Sequence, residues 1–139
     1  MGNHPATIVL QWTRDLRFQA RAGAAVTAID GEGETGPSPV LLLLEALAAC
    51  SAADVVEILR KGRQELRGLQ VRAIGERRPE PPRRFTRLRL EFRVQGPVER
   101  KKAERAVELS LETYCSVYHT LREDLDLEWE LRIEEEGTR

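Results

Sequence analysis

Two cysteines are the residues of this chain whose types and surroundings best suit chemistry. Cys50 lies in the run PSPVLLLLEALAACSAADVV, residues 37–56, a strongly apolar stretch in a chain of which 32% is charged. A free cysteine in apolar surroundings often acts as a small hydrophobic residue. Asp54, one helical turn later, disfavours a thiolate by like charge. The local sequence therefore leaves two interpretations of Cys50 open, packing and nucleophilic chemistry.

The second cysteine, Cys115, has a histidine close by in sequence. It lies in ETYCSVYHTL, and His119 follows four residues later. In a continuous helix this spacing brings an imidazole within one turn of the sulfur, and a Cys–His pair is one way to generate a thiolate. The alternative is a helix edge with an ordinary surface histidine, and spacing alone favours that alternative.

Motifs for other chemistries are missing. The sequence has no C-x-x-C pair, no H-E-x-x-H helix and no G-x-S-x-G elbow, and its two histidines, His4 and His119, lack a zinc spacing. It also has no G-x-x-x-x-G-K-[ST] phosphate loop. We therefore predict neither a metal nor another cofactor.

Composition and charge indicate which classes of partner the protein binds and in which compartment of the cell it is found. The chain has 139 residues, 22 Lys plus Arg, 23 Asp plus Glu and a pI near 6.2, so its overall charge favours neither nucleic acid nor an acidic membrane. The start, MGNHPATIVLQWT, lacks a signal peptide pattern. The longest apolar run, residues 40–53, is broken by Glu45 and Ser51 and is short for a bilayer span. We predict a cytoplasmic protein without membrane or nucleic-acid partners, in which a permanent disulfide is not expected.

The periodicity of apolar residues predicts a single α+β domain over residues 1–139. Alternating residues indicate a hairpin, a third short strand near 25–29, two strands around the charged loop RRPEPPRR and a last strand from Leu125. Ser38 and Pro39 predict the start of a helix that runs to about Leu59, and a second helix, interrupted near Cys115, carries its apolar residues at three- and four-residue spacing. The strand that begins near Arg87 has one apolar and one charged face, which indicates an antiparallel sheet packed on helices.

The first helix also predicts the oligomeric state. Its first half, residues 40–53, is apolar on nearly every side, and such a helix is normally covered on every side. A two-layer domain of this length does not easily cover all of it. A second copy of the chain would, so we predict a homodimer.

These motifs together resemble the OsmC/Ohr family of thiol-dependent hydroperoxide reductases. The resemblance rests on two segments. The first is PSPVLLLLEALAACSAADVVEIL, with Ala-Ala-Cys on an apolar helix after a proline, and the second is YCSV after the second helix. The resemblance covers nearly the whole chain. The stretches SAADVVEILRKGRQELRGLQV and ERRPEPPRRFTRLRLEF look closest to the less characterised branch of the family rather than to OsmC or Ohr proper.

The resemblance implies both a fold and a mechanism. The fold is an intertwined homodimer in which antiparallel sheets wrap around central helices that carry the cysteines. The implied activity is peroxiredoxin-type reduction of organic hydroperoxides in oxidative-stress defence. Cys50 is the implied peroxidatic thiolate that becomes a sulfenic acid, Cys115 is implied to resolve it as a disulfide, and a dithiol is the implied reductant.

The chain departs from the family at the carboxylate that peroxidase members carry nine or ten residues before the first cysteine. Leu41 and Val40 occupy those places. The nearest upstream helix carboxylate, Glu45, is five residues from Cys50, and the helical rotation directs it about 140° away.

The family arginine is also unmatched. The place that aligns with it is near Asp30, and Arg17 and Arg21 lie upstream on a predicted strand. A buried cysteine without a nearby cation reacts slowly. Two alternatives to the peroxidase therefore stay open. One is a non-catalytic dimer that binds a small apolar ligand in the inter-subunit cleft, and the other is a redox sensor that signals through a bond between Cys50 and Cys115.

Overall fold

A three-stranded antiparallel sheet and the start of a long helix form the first of two compact units. The computed structural model describes residues 4–134, and the chain divides into units 1–43 and 44–139. In the first unit, β1 (Val9–Arg14), β2 (Arg17–Ala22) and β3 (Ala25–Asp30) pair in sequence order. Gly23, at φ +60°, lies in the β2–β3 turn, a conformation that glycine adopts without steric cost. The predicted hairpin and third strand are thus confirmed.

The β1 strand leaves large apolar side chains in solvent. Ile8, Leu10 and Trp12 alternate along the chain as predicted, and between 51% and 63% of each is exposed. Val26 of β3 is exposed to a similar extent, at 51%. Scattered exposed apolar residues are ordinary, whereas these large ones follow one another along β1 and the residue just before it.

The long helix α1 (Pro39–Lys61) begins where its cap was predicted. The Leu41 backbone N–H donates to Ser38 Oγ at 3.2 Å, and the Leu42 N–H donates to the Ser38 carbonyl at 2.9 Å. The helix ends at Lys61, close to the predicted end near Leu59, and Gly62 follows it.

Only one stripe of α1 is covered. The buried residues recur every fourth position, at Leu47, Ser51, Val55 and Leu59. Leu41 and Leu43 are 50% and 41% exposed. By length and composition alone α1 meets the criterion for a membrane span, with a mean hydropathy of 1.9 over its most apolar 18 residues.

The second unit packs helices against one face of a mixed sheet. The sheet contains β4 (Gly68–Arg77), β5 (Phe85–Gln95) and β6 (Asp126–Glu134) in that order. The inward residues of β5 were predicted from their alternation, and all are buried: Leu88, Leu90, Phe92 and Val94. They join one core with the buried stripe of α1 and with Ala103, Ala106 and Val107 of α2 (Arg100–Leu109).

One strand direction differs from the prediction of antiparallel sheets. β4 and β5 are antiparallel, but β6 pairs parallel with β5, with Leu90 opposite Trp129. The connection between β5 and β6 runs through α2, a π-helical turn (Ser110–Tyr114) and the short helix α3 (Ser116–Thr120). A helical crossover of this length carries the chain back to the end of the sheet where β5 begins, so β6 can run in the same direction as β5. Alternation within a strand reports which face is buried and carries no information on this direction.

Candidate active site

The two thiols, distant in sequence, lie side by side in the second unit. Cys50 is on α1 and partly exposed, whereas Cys115 is fully buried, and both are free cysteines. The Cys50 side chain is close enough to the Cys115 thiol to act on it as a hydrogen-bond partner. The structure therefore brings together the two cysteines that the sequence singled out.

A break in the second helix aims Cys115 at α1. The π-helical turn ends at Tyr114, and Cys115 has an extended backbone, with φ −75° and ψ 99°. Its N–H donates to the Ser110 carbonyl at 2.7 Å, and its sulfur accepts the Tyr118 N–H at 3.4 Å as the N-cap of α3. The predicted interruption near Cys115 is confirmed, and π-helical turns of this kind are frequent at functional sites.

The environment keeps Cys115 protonated. Burial, the largest cause, acts together with Cys50 and Asp54 to raise the pKa of the Cys115 thiol to about 11, against the opposing effect of the Tyr118 N–H. A thiol whose pKa lies about four units above neutral pH is a thiolate in roughly one molecule in ten thousand. The thiol that meets solvent is Cys50, so the two sulfurs are not equivalent as nucleophiles.

A buried polar cluster adjoins the thiols. Ser110 Oγ lies 2.8 Å from Asp54 Oδ2 and 3.0 Å from Ser51 Oγ, and both serines are fully buried. A carboxylate only accepts hydrogen bonds. The single hydroxyl proton of Ser110 therefore goes to Asp54, and Ser51 donates to Ser110. Sequence reasoning missed this cluster, although a serine inside the apolar stripe of the second helix was a signal for it.

His119 does not form the Cys–His pair considered above. Its side chain is exposed, and its ring meets the Tyr118 ring edge-on at 5.4 Å between centroids. The continuous helix on which that pairing depends is absent, because Cys115 precedes α3 instead of lying within a helical turn. The ordinary surface histidine is the interpretation that agrees with the structure.

Glu45 lies on an exposed side of α1, whereas Cys50 on the same helix is partly covered by the core. This agrees with the predicted divergence of the two side chains. Glu45 is therefore not the family carboxylate displaced along the same helix.

In the first unit, the place aligned with the family arginine has a structural role. Asp30 is 1% exposed and accepts N–H groups from Glu32, Glu34 and Thr35. These hydrogen bonds, that from Thr35 first, hold the pKa of Asp30 at about 2. Arg17 pairs with Asp30, with Nε 3.6 Å from Oδ2. Asp30 thus anchors the loop before α1, and the charge of Arg17 is engaged by a carboxylate of its own unit.

The loop before α1 contains a glycine motif that binds dinucleotides in folds of a different kind. Gly31, Gly33 and Gly36 form G-x-G-x-x-G, a fingerprint that functions between a strand and a helix of a parallel βαβ unit. Here the preceding strand belongs to an antiparallel sheet, and the N–H groups that would face a phosphate already donate to Asp30. The spacing does not indicate a nucleotide site in this fold.

Within residues 4–134, no group of three or more His, Cys, Asp or Glu side chains is arranged to hold a metal ion.

Comparison with known proteins decides the family. The family model for OsmC-like proteins matches residues 31–130. The chain belongs to the OsmC-like family. Protein YhfA of Escherichia coli K12 is 40% identical over 111 residues, which cover 78% of this chain and 83% of YhfA.

Solved structures share the fold. A hypothetical protein from Aquifex aeolicus VF5 has a TM-score of 0.85 at 30% identity, covering 94% of this chain and 98% of its own. The organic hydroperoxide resistance protein OhrB of Bacillus subtilis has a TM-score of 0.68 at 18% identity, covering 94% and 100%. The α+β OsmC-like fold predicted from the sequence is confirmed, and α1 is a helix of a soluble family fold despite its bilayer-like length.

Proposed function

We propose that this protein is a thiol-dependent peroxidase that reduces organic hydroperoxides and acts in defence against oxidative stress. The observation that carries the proposal is the contact between a partly exposed Cys50 and a buried Cys115 presented by a different element. Membership of the OsmC-like family supports it. The fold shared with a hydroperoxide resistance protein is consistent with it.

The proposed cycle balances with one hydroperoxide and one dithiol. The Cys50 thiolate attacks the distal peroxide oxygen, the O–O bond breaks, and the alkoxide takes a proton to leave as an alcohol, which gives Cys50 sulfenic acid. The Cys115 sulfur then displaces hydroxide, so that an S–S bond forms and water leaves. A dithiol reduces this disulfide by exchange and restores both thiols. Buried and protonated, Cys115 does not compete for the peroxide.

The surroundings of Cys50 favour an organic substrate over hydrogen peroxide. Cys50 packs against the hydrophobic core, and the exposed side of α1 around it carries small apolar residues such as Ala46, Ala49 and Ala53. An apolar substituent on the hydroperoxide would bury its surface there, at about 25 cal/mol per Å². The cytoplasm, where dithiol systems keep thiols reduced, is the compartment we propose for the cycle.

We propose a homodimer as the working form. The support is apolar surface that the single chain leaves exposed, on β1 at Leu10 and Trp12 and on α1 at Leu41 and Leu43. Sedimentation equilibrium is expected to give twice the chain mass of 15.8 kDa, because covering such surface drives association. A single-chain mass at micromolar concentration would contradict the dimer.

Turnover with a dithiol tests the activity. With dithiothreitol as reductant, we expect consumption of cumene hydroperoxide with a kcat/KM at least about tenfold above that for hydrogen peroxide, the size of one pocket contact of about 1.4 kcal/mol. Ferric–xylenol orange measures the remaining peroxide. Equal rates for both peroxides would contradict the substrate class. Binding of cumyl alcohol without any consumption would favour the non-catalytic ligand-binding dimer instead.

A further inference from the structure

The carboxylate of Asp54 has no function in the cycle as described so far. It lies one helical turn after Cys50 on α1, the spacing at which helix side chains are neighbours. Among the residues that the structure describes, no lysine or arginine forms an ion pair with Asp54. A partly buried carboxylate without a cation is costly, and beside two thiols it opposes formation of either thiolate. A carboxylate that is unfavourable at this position indicates a function that the cycle described above does not include.

Ser110 connects this carboxylate to Cys115. Its hydroxyl donates to Asp54 Oδ2 at 2.8 Å, and its carbonyl accepts the Cys115 N–H at 2.7 Å. The side chain and the backbone of one buried residue therefore fix the Asp54 carboxylate and the Cys115 main chain relative to each other. Asp54 is also close enough for its charge to act on the Cys115 thiol.

The second chemical step needs a proton acceptor at this place. A thiol is a weak nucleophile, and the Cys115 thiol must lose its proton as its sulfur attacks the Cys50 sulfenic acid. Asp54 is the carboxylate that acts on this thiol from α1, where Cys50 is the other titratable neighbour. On α3, Tyr118 contributes its backbone N–H and His119 is exposed.

We propose that Asp54 is the general base of the disulfide-forming step, with Ser110 as its positioning residue. The Asp54 carboxylate accepts the Cys115 thiol proton, directly or through one water, as the S–S bond forms and the S–O bond of Cys50 breaks. It then passes the proton to the departing hydroxide, which leaves as water, so atoms and charge balance. This inference rests on the proposed peroxidase cycle and adds to it the group that handles the proton of the second step.

The test is the lifetime of the Cys50 sulfenic acid in single-turnover reactions of the full-length protein. Stopped-flow mixing with one equivalent of cumene hydroperoxide, quenched into dimedone, separates sulfenic acid formation from disulfide formation. For Asp54→Asn we expect formation to be unchanged or faster and disulfide formation to slow about a hundredfold at pH 7, within the range for general bases. Glu57→Gln, which removes an exposed carboxylate of the same helix, is the matched control and should change neither step.

The pH profile separates this function from a purely structural one. With the Asp54 carboxylate as the base, disulfide formation should be nearly independent of pH from 6 to 9. In Asp54→Asn only the Cys115 thiolate reacts, so the rate should rise about tenfold per pH unit below the pKa of that thiol. Asp54→Glu should restore a flat profile. If Asp54→Asn does not fold, Ser110→Ala tests the same point. In this variant disulfide formation should slow about tenfold, the size of one hydrogen bond to a charged group, and its rate should stay independent of pH.

The outcomes are distinguishable. If wild type forms the disulfide through a dimedone-reactive Cys50 and Asp54→Asn forms it as fast or faster, Asp54 is only an electrostatic neighbour, and the base proposal fails while the peroxidase stands. If no sulfenic acid forms in wild type or in any variant, both proposals are overturned.

Discussion

Replacing Cys50 with serine is expected to abolish hydroperoxide reduction. A serine hydroxyl is hardly ionised near neutral pH and its oxygen does not form a stable equivalent of a sulfenic acid, so no covalent cycle begins. Turnover of cumene hydroperoxide with dithiothreitol should fall at least about a thousandfold, to the rate of the reductant alone, as for loss of a nucleophile. Because serine is close to cysteine in size and Cys50 is only partly buried, the thermal midpoint should change little.

Lys61→Ser is the matched control for this substitution. Lys61 is the last residue of α1, about three helical turns after Cys50, and it is exposed, so the change places a serine on the same helix and keeps the thiol. It should retain activity within about twofold. Retention of activity in Cys50→Ser, with Cys115 oxidised in its place, would reverse the assignment of the two thiols.

Replacing Cys115 with serine is expected to stop the cycle after the first step, when each chain has reacted once with hydroperoxide. The variant should still reduce about one equivalent of hydroperoxide per chain, because the Cys50 thiol is unchanged. Its sulfenic acid then has no internal partner, so it should persist and be trapped by dimedone. The steady-state rate should fall at least about a hundredfold, because no internal thiol next to the sulfenic acid converts it into a disulfide.

Ser116→Ala, which alters an exposed neighbour in the same segment, is the control for Cys115→Ser and should turn over normally. Mass spectrometry of the quenched protein gives the measurement, as an adduct on the peptide that carries Cys50. Full steady-state activity of Cys115→Ser would show that an intramolecular disulfide is not part of the cycle.

The cysteine asymmetry explains why two thiols in contact need not interfere. Cys115 is buried, carries a raised pKa and receives the Tyr118 N–H. Cys50 meets solvent, and in the proposed cycle it is the sulfur that a peroxide reaches first. In that cycle, burial prevents Cys115 from reacting with peroxide and keeps it next to Cys50, where its attack on the sulfenic acid would benefit from proximity.

The parts of the fold that were predictable are those set by local periodicity. The cap at Ser38 and the alternation of β5 follow from side-chain patterns, since a buried strand face needs apolar residues at every second position. The buried stripe of α1 did not follow, because the first half of that helix is apolar on nearly every side. The direction of β6 did not follow, because alternation is the same in parallel and antiparallel strands. The helix break at Cys115 was expected from sequence, but its π-helical form was not.

The site was predictable in its residues and not in its geometry. Cys50 and Cys115 stand out by type and motif, yet no sequence spacing gives the distance between elements so far apart along the chain. No function was predicted for Ser51 or Ser110, because serine is common and each looks like a tolerated polar residue in its own helix. Only tertiary packing shows that these two serines and Asp54 form one hydrogen-bonded cluster.

The measurement that most directly tests the central claim is titration of the reduced wild-type protein with cumene hydroperoxide. Free thiols are counted at each addition, and the product is mapped by peptide mass spectrometry. The account predicts a loss of two thiols per hydroperoxide and a disulfide that joins the peptides of Cys50 and Cys115. Survival of both thiols in excess hydroperoxide would contradict it, and Cys50 would then be a packing residue of α1.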